Sequence, residues 1–202
     1  MIKKVCVFCG SALGAGDVYL KEAMRLGEAL VAGGYELIYG GSNIGLMRVI
    51  ADTVMKGGGH VTGVMPHVLA GREILHEGIT ELILVDSMEE RKRVMGQLAD
   101  GFIAMPGGIG TLDELFEALT WNQLGIVRKP VALLNADGFY DQLSAFLDHV
   151  TAQGFVRPEH RDSLLVDDDP YRLLNRMDGF LPAETLPGWV EELKRDTEKR
   201  HG

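Results

Sequence analysis

The sequence has few cysteines, few basic residues and no long apolar run. Only 2 of its 202 residues are cysteine, which rules out a disulfide-stapled fold and predicts a cytoplasmic protein in a reducing compartment. Basic residues number 20 against 29 acidic ones, a net charge of −9, which disfavours nucleic acid as a partner. No apolar run approaches the roughly 18 residues of a membrane span, and the N-terminal one is too short for a signal peptide. We therefore expect no membrane partner.

Several well-known catalytic motifs are missing as well. The chain contains no Gly-Lys-Ser or Gly-Lys-Thr, no G-x-G-x-x-G, no HExxH and no Gly-x-Ser-x-Gly, which argues against a Walker loop, a dinucleotide fingerprint, a zincin site and a serine hydrolase. The six histidines are scattered, so we expect no metal and no other cofactor. Cys6-x-x-Cys9 has redox spacing but lies along a predicted strand, where core packing is the better interpretation.

Short apolar runs alternate with helical patterns along most of the chain. This alternation predicts one α/β domain over residues 1–202, a doubly wound, mainly parallel, Rossmann-like sheet with helices on both faces. The predicted strands cover residues 5–8, 37–39, 60–65, 82–85, 102–105 and 130–134, and the predicted helices cover 18–32, 44–56, 88–98, 112–124 and 139–152. Near the C-terminus, Asp167-Asp168-Asp169-Pro170 predicts a turn that caps a further helix, and residues 191–200 resemble a solvated helix or a frayed end.

Glycines cluster where three of these strands end, in residues 9–11, 40–43 and 106–111. Ligands of open α/β sheets bind beyond the carboxyl ends of the strands. In the last cluster, three glycines precede a helix that opens with Thr111-Leu112-Asp113-Glu114. Free amides and the helix dipole make such a junction an anion site, and phosphate is the expected ligand. Glu114 is open to two interpretations, a catalytic carboxylate or the second member of a capping box with Thr111.

A second motif begins the predicted helix 88–98. Ser87 and Glu90 have the spacing of a capping box. Arg91 lies on the same helical stripe as Met88 and Met95, and a charge on such a stripe is costly unless it is paired, binds a ligand or reaches past its neighbours to water. Because the planar guanidinium suits phosphate or carboxylate, we favour a functional role for Arg91.

Together these motifs resemble the LOG ("lonely guy") family of cytokinin riboside 5'-monophosphate phosphoribohydrolases, long mislabelled as lysine decarboxylases. The resemblance is strongest over residues 5–154. Its specific signature pairs Arg91-Lys92 with Pro106-Gly107-Gly108-Ile109-Gly110-Thr111 and Glu114. Further support comes from Phe8-Cys9-Gly10-Ser11, Tyr39-Gly40-Gly41, Gly45-Leu46-Met47, Gly63-Val64-Met65-Pro66, Thr120-Trp121-Asn122-Gln123-Leu124-Gly125 and Lys129-Pro130.

The resemblance implies that Arg91 and Glu114 are the catalytic pair and that the glycine loop holds a nucleotide 5'-phosphate. It also implies that sites of this kind are built near a dimer interface, so a homodimer is expected. The positions implied to contact substrate are Glu73, Lys92, Gly107, Gly108, Ile109, Gly110, Thr111, Leu112, Asp113 and Thr120. Spacing gives no independent support for Glu73 or Thr120.

The leading hypothesis is therefore an N-glycosidase that converts purine nucleoside 5'-monophosphates with an N6-modified adenine into free base and ribose 5-phosphate. Glu114 would stabilise the positive charge that develops on the ribose or orient the attacking water, and Arg91 would hold the substrate, with Lys92 assisting. The alternative is a non-catalytic nucleotide or phosphoester carrier, similar to the molybdenum-cofactor carriers, that uses the same loop.

Overall fold

A computed structural model describes residues 2–70 and 74–181, together with Arg195, Glu198 and Lys199. Its seven strands form a single sheet in the order β4-β3-β2-β1-β5-β6-β7, and every neighbouring pair is parallel. The strands are β1 (Lys4–Phe8), β2 (Glu36–Tyr39), β3 (Val61–Pro66), β4 (Glu81–Val85), β5 (Gly101–Ala104), β6 (Val131–Leu134) and β7 (Leu164–Asp167).

Helices cover both faces of this sheet. Residues of α1, α2 and α8 form a core with one face, and residues of α4, α5 and α6 form a second core with the other. The predicted doubly wound fold is thus confirmed. The helices are α1 (Val18–Gly33), α2 (Gly45–Lys56), α3 (His67–Ala70), α4 (Met88–Leu98), α5 (Ile109–Gln123), α6 (Asp141–Ala152), α7 (Pro158–Asp162) and α8 (Pro170–Asp178). Within the described ranges, no helix has the length and apolar character that crossing a membrane requires.

The six predicted strands are all present, and each predicted end lies within one residue of the observed end. Every residue of β3, β5 and β6 is buried, as expected for parallel strands that are covered on both faces. Cys6 and Cys9 are free, buried thiols that belong to the cores on opposite faces. Core packing is therefore confirmed for both cysteines, and the redox interpretation is wrong.

The structure adds elements after residue 152 that the sequence patterns did not predict. Strand β7 pairs with β6 and extends the sheet, and the short helix α7 precedes it. The predicted cap is confirmed, since the Asp169 carboxylate accepts a hydrogen bond from the Arg172 amide at 2.9 Å and Pro170 begins α8. The solvated helix or frayed end predicted for residues 191–200 lies mostly outside the described residues.

The strand order reverses between β1 and β5, and this switch point positions the candidate site. The Gly10 amide donates to the Pro106 carbonyl at 3.1 Å, which ties the two strand ends together. A Cβ on Gly107 would overlap the Thr111 hydroxyl and stand only 2.9 Å from the Gly10 nitrogen. Glycine is therefore required at position 107 for this close approach of the two loops. Ligand clefts of doubly wound sheets open at such a point.

Candidate active site

A cavity of about 240 Å³ lies at the switch point between β1 and β5. Four segments build it: the loop after β1, the first turn of α2, the first turn of α4, and the first two turns of α5 with its N-cap. Its lining residues are Cys9, Gly10, Ser11, Met47, Met88, Arg91, Gly108, Ile109, Gly110, Thr111, Asp113 and Glu114. Three of the four segments begin helices whose N-termini lie at the carboxyl edge of the sheet.

The Arg91 guanidinium is held inside the protein, with only 11% of its side chain exposed. Its Nε donates to the Val64 carbonyl of β3 at 3.0 Å. A Cβ on Gly40 would overlap its Nη2. The space beside Gly40 at the end of β2, here called the seat of Arg91, is therefore open only because this residue is glycine. The alternative in which Arg91 reaches past its neighbours to water is therefore wrong, and the guanidinium is oriented by backbone groups of two strands.

Glu114 is the partner of Arg91, with 3.7 Å between Oε1 and Nη1. Only 11% of the Glu114 side chain is exposed. Burial raises the pKa of Glu114 to about 6, because desolvation of the carboxylate outweighs the opposing effect of the Arg91 charge. At pH 7 the carboxylate is mostly ionised. The cavity thus holds a negative charge beside an oriented cation, largely shielded from water.

The capping-box interpretation of Thr111 and Glu114 is wrong. Helix α5 begins at Ile109 with Gly108 as its N-cap, three residues earlier than predicted, so Thr111 lies within the first turn and Glu114 in the second. Among the described residues no backbone amide donates to the Glu114 carboxylate, which faces Arg91 instead. Gly108 is the N-cap of α5, and as a glycine it has no side chain that could accept hydrogen bonds from the first amides of the helix. The first amides of α5 are therefore free to bind an anion.

The first turn of α4 follows the sequence prediction more closely. The Ser87 hydroxyl accepts from the Glu90 amide at 3.0 Å, which confirms the N-cap. The Glu90 carboxylate accepts from the amide of Asp86 at 2.9 Å, one residue before the cap. This arrangement fixes where α4 starts and therefore the direction from which Arg91 enters the cavity.

The remaining predicted contacts divide into those that reach the cavity and those that do not. Asp113 and residues 108–111 line it. Lys92 instead pairs with Asp113 at 3.1 Å and with Glu117 at 3.3 Å. Those hydrogen bonds outweigh the desolvation of Lys92 and raise the pKa of its ammonium group. Lys92 thus fastens α4 to α5, close to the cavity but not in its wall.

Three other predicted positions lie away from this cavity. Gly107 lines a smaller neighbouring cavity of about 210 Å³, which shares Gly108 with the first. Leu112 packs against the core formed with α4 to α6. The Thr120 hydroxyl is exposed and donates to the Phe116 carbonyl at 2.7 Å within α5. Glu73 lies outside the described residues, so its predicted contact stays a prediction.

With this geometry in place, comparisons with known proteins identify the family. A family model described as "Possible lysine decarboxylase" matches residues 47–177. The "Probable cytokinin riboside 5'-monophosphate phosphoribohydrolase LOGL9" of Oryza sativa subsp. japonica is 46% identical over 181 residues, which cover 90% of this chain and 80% of the relative. The "Cytokinin riboside 5'-monophosphate phosphoribohydrolase LOG2" of Arabidopsis thaliana is 46% identical over 180 residues, 89% and 84% of the two chains. The chain belongs to the LOG family.

Solved structures support the fold of this LOG-family chain. The molybdenum cofactor binding protein from Rippkaea orientalis superposes with a TM-score of 0.67 at 24% identity, covering 89% of this chain and 97% of that one. The molybdenum cofactor carrier protein from Chlamydomonas reinhardtii superposes with a TM-score of 0.65 at 19% identity, covering 89% and 98%. At these identities the likeness establishes the architecture alone.

Two methionines of the cavity were not predicted as site residues. Met47 and Met88 each stand in the first turn of a helix that starts at the carboxyl edge of the LOG-family sheet. The helical pattern predicted that Met88 lies on a core-facing stripe, yet its side chain is 44% exposed. Their positions at helix starts on the functional edge were the signal that was available in the sequence.

The seat for Arg91 leads to a first prediction. In Gly40→Ala the new methyl group occupies the space of Nη2, so the guanidinium has to leave its bond to Val64. We expect turnover to fall by about a hundredfold, the scale of losing one oriented charged group, with the fold retained, because Gly40 has no left-handed φ.

The matched control is Gly179→Ala, at an exposed glycine after α8 where a Cβ meets only ordinary contacts at 3.8 Å. Turnover and urea unfolding of the two variants would be measured side by side. A Gly40→Ala protein with wild-type turnover would contradict the proposed seat.

The raised pKa of Glu114 leads to a second prediction, on stability. A carboxyl whose pKa is raised by folding binds its proton more tightly in the native state, so the wild type loses stability as pH rises from about 4.5 to about 6. A shift of that size corresponds to about 2 kcal/mol. Glu114→Gln removes the charge, so its free energy of unfolding relative to wild type should rise by about that amount across the window.

Urea unfolding at pH 4 and pH 7 measures this difference without substrate present. The control is Glu89→Gln, which neutralises an exposed carboxylate on α4 and should show no such gain. Equal relative stability of Glu114→Gln at both pH values would mean that Glu114 is not desolvated.

Proposed function

We propose that this chain hydrolyses the N-glycosidic bond of nucleoside 5'-monophosphates with an N6-modified adenine, releasing the free base and ribose 5-phosphate. The observation that carries the proposal is the buried Glu114 carboxylate, paired with Arg91 one helical turn from the free amides of α5. The names of the two plant relatives, 46% identical over about nine-tenths of this chain, describe the same reaction.

The start of α5 suits the 5'-phosphate. The amides of residues 109–111 have no carbonyl acceptor within the helix, and the helix dipole adds to their attraction for an anion. A Cβ on Gly108 or on Gly110 would meet nothing within 4 Å, so both positions leave open space in which a phosphate approaches the backbone. These contacts would fix the ribose relative to Glu114 and contribute positioning energy.

The Glu114 carboxylate would act at the anomeric carbon of that ribose. As the bond between C1' and the base nitrogen breaks, the electron pair leaves with the base and positive charge develops on the sugar. A carboxylate in a desolvated site stabilises such a cation more strongly than it would in water. The oxygen of a water molecule then bonds to C1', and the proton that this water loses is taken up by the departing base. Arg91 keeps the carboxylate oriented and offsets its charge before the cation forms.

The family model's name, "Possible lysine decarboxylase", describes a chemistry that this site does not favour. No lysine lines the cavity in the part of the chain that the structure describes. Lys92, next in sequence to Arg91, pairs with Asp113 and Glu117, and its ammonium group has a raised pKa. A lysine that forms a Schiff base has to present a neutral amine, which needs a lowered pKa.

We also propose a cytoplasmic homodimer that joins through α4 and α5. Large apolar side chains are exposed on and just after α5, namely Phe116, Leu124 and Ile126, and an apolar cleft of about 520 Å³, which residues of α4 also line, lies beside Trp121. Exposed apolar surface of this kind is typical of a protein interface. Thr120 lies on the same exposed helix, so its predicted substrate contact belongs to this proposal. The free thiols Cys6 and Cys9 suit a reducing compartment.

The dimer gives the third prediction. Ile126→Asp, at a side chain that is 65% exposed, places a charge in the proposed interface and should lower the molar mass measured by light scattering from dimer to monomer. The control Val68→Asp changes a side chain of equal 65% exposure on α3 and should leave the mass unchanged. A monomeric wild type would contradict the homodimer and leave the proposed reaction untouched.

The reaction itself gives the fourth prediction. The wild type should release free base from AMP or from N6-isopentenyl-AMP, and much less from the corresponding nucleosides, which lack the phosphate. Glu114→Gln should lower turnover by a hundredfold or more, about 2.7 kcal/mol at the barrier, because it removes the charge that stabilises the sugar cation.

The control is Glu28→Gln, which neutralises an exposed carboxylate of α1 outside the cavity and should stay within a few-fold of wild type. Base release is followed by chromatography. Tight binding of AMP with no release after long incubation would favour the carrier, and equal release from nucleosides would refute a phosphoribohydrolase.

A further inference from the structure

The cavity wall combines two kinds of surface. The polar part consists of the α5 amides and Glu114. The apolar part includes the thioether side chains of Met47 from α2 and Met88 from α4. The Arg91 guanidinium contacts both parts, because its Nη1 lies 3.7 Å from the Glu114 carboxylate and 3.9 Å from the Met88 sulfur.

The two methionine sulfurs flank that guanidinium. The Met88 Sδ lies 3.9 Å from Arg91 Nη1. The Met47 Sδ lies near Nη2 of the same guanidinium, because a Cβ built on Gly40 would overlap Nη2 and stand 3.2 Å from this sulfur. Both sulfurs therefore stand beside the guanidinium that pairs with Glu114, on the first turns of α2 and α4.

The proposed reaction fixes which part of the substrate lies near these sulfurs. With the phosphate on the amides of α5 and C1' beside Glu114, the base attached to C1' lies close to Arg91, the partner of Glu114. The side chains next to Arg91 in the cavity wall are those of Met47 and Met88.

We propose that Met47 and Met88 form the wall that recognises the base and accommodates its N6 substituent, an inference that rests on the proposed function. Thioethers make favourable contacts with aromatic rings, and the unbranched methionine side chain adapts to partners of different shape. The other side chains of the cavity wall are those of Cys9, Ser11, Ile109, Thr111 and Asp113, and the Asp113 carboxylate is already paired with Lys92. Recognition of the base is therefore mainly apolar.

The exposure of the two methionines divides their roles. Met47 is partly buried against the core of α1 and α2, so it contacts the ring. Met88 is 44% exposed at the mouth, so the N6 substituent extends across it. Apolar contacts of this kind discriminate between substrates by roughly ten- to two-hundred-fold. The wall thus favours an apolar N6 group over the bare amine of AMP without excluding AMP.

The experiment compares kcat/KM for N6-isopentenyl-AMP and for AMP in the wild type, Met88→Ala and Met88→Leu. We expect Met88→Ala to lower the ratio of the two values at least tenfold, chiefly through KM for the isopentenyl substrate. Met88→Leu keeps the apolar volume and should stay within about threefold of the wild-type ratio. The control Met24→Ala truncates a methionine of α1 with 42% exposure and should leave the ratio unchanged.

A Met88→Ala protein that melts with wild-type cooperativity and keeps the wild-type ratio would overturn the proposed wall, with the reaction itself still established by base release. If the wild type releases no base from either nucleotide, the proposed function fails instead. The wall is then tested by calorimetric titration with N6-isopentenyl-AMP and AMP: a loss of the preference in Met88→Ala supports it, and an unchanged preference overturns it.

Discussion

The ion pair between Arg91 and Glu114 is the interaction on which the rest of the site depends. Both side chains are only 11% exposed, and removing one partner of a buried pair leaves a desolvated charge that costs several kcal/mol. The Arg91 charge does not fully compensate the desolvation of Glu114, because the pKa of Glu114 stays raised despite this partner. A fold selected for stability alone would place apolar groups here. The protein instead maintains a carboxylate whose charge is only partly compensated, which leaves it able to interact with a further cation.

The surrounding structure is arranged so that this pair is held in one geometry. The end of β2 leaves space at Gly40, the Val64 carbonyl of β3 accepts from the guanidinium, and the Ser87 cap fixes the start of α4. Lys92, next in sequence to Arg91, ties α4 to α5 through Asp113 and Glu117. Helix α5 carries Glu114, so the same contacts that join the helices also set the distance between the two charges. Gly40 is thus required by close packing around one arginine, whereas Gly108 and Gly110 leave open space for a ligand.

Sequence periodicity predicted most of the sheet because buried parallel strands are continuous apolar runs bounded by Gly, Pro or Asp, and such runs have clear ends. Strand β7 was missed because it is an edge strand of four residues, mostly half-buried, and has an aspartate at its end. The start of α5 was misplaced for a different reason. Ile109 and Gly110 follow two glycines and resemble loop, but only Gly108 has to leave the helical conformation, and tertiary contacts extend the helix over the rest.

Within the site, the sequence predicted which residue types are present but not their partners. Arg91 and Glu114 were singled out from their positions on helical stripes and beside the glycine loop, and the structure brings them together. Lys92 was assigned to substrate by resemblance, yet two carboxylates on another helix engage it. That pairing depends on how α4 packs against α5, which no spacing within one segment reveals. Met47 and Met88 were overlooked for a different reason, since apolar side chains are expected in the core, and only their positions at helix starts on the functional edge pointed to the cavity.

The fold leaves a choice between holding a phosphorylated ligand and cleaving it, and Glu114 decides between them on electrostatic grounds. Relatives of the same architecture include molybdenum cofactor carriers, at identities that establish the fold alone. A carrier needs the free amides of α5, and an ionised carboxylate one turn away would repel the phosphate and weaken binding. The same carboxylate becomes favourable only if positive charge forms nearby during the reaction. A group that weakens the bound state and strengthens the transition state is what catalysis by differential binding requires, so the position of Glu114 favours hydrolysis over carriage.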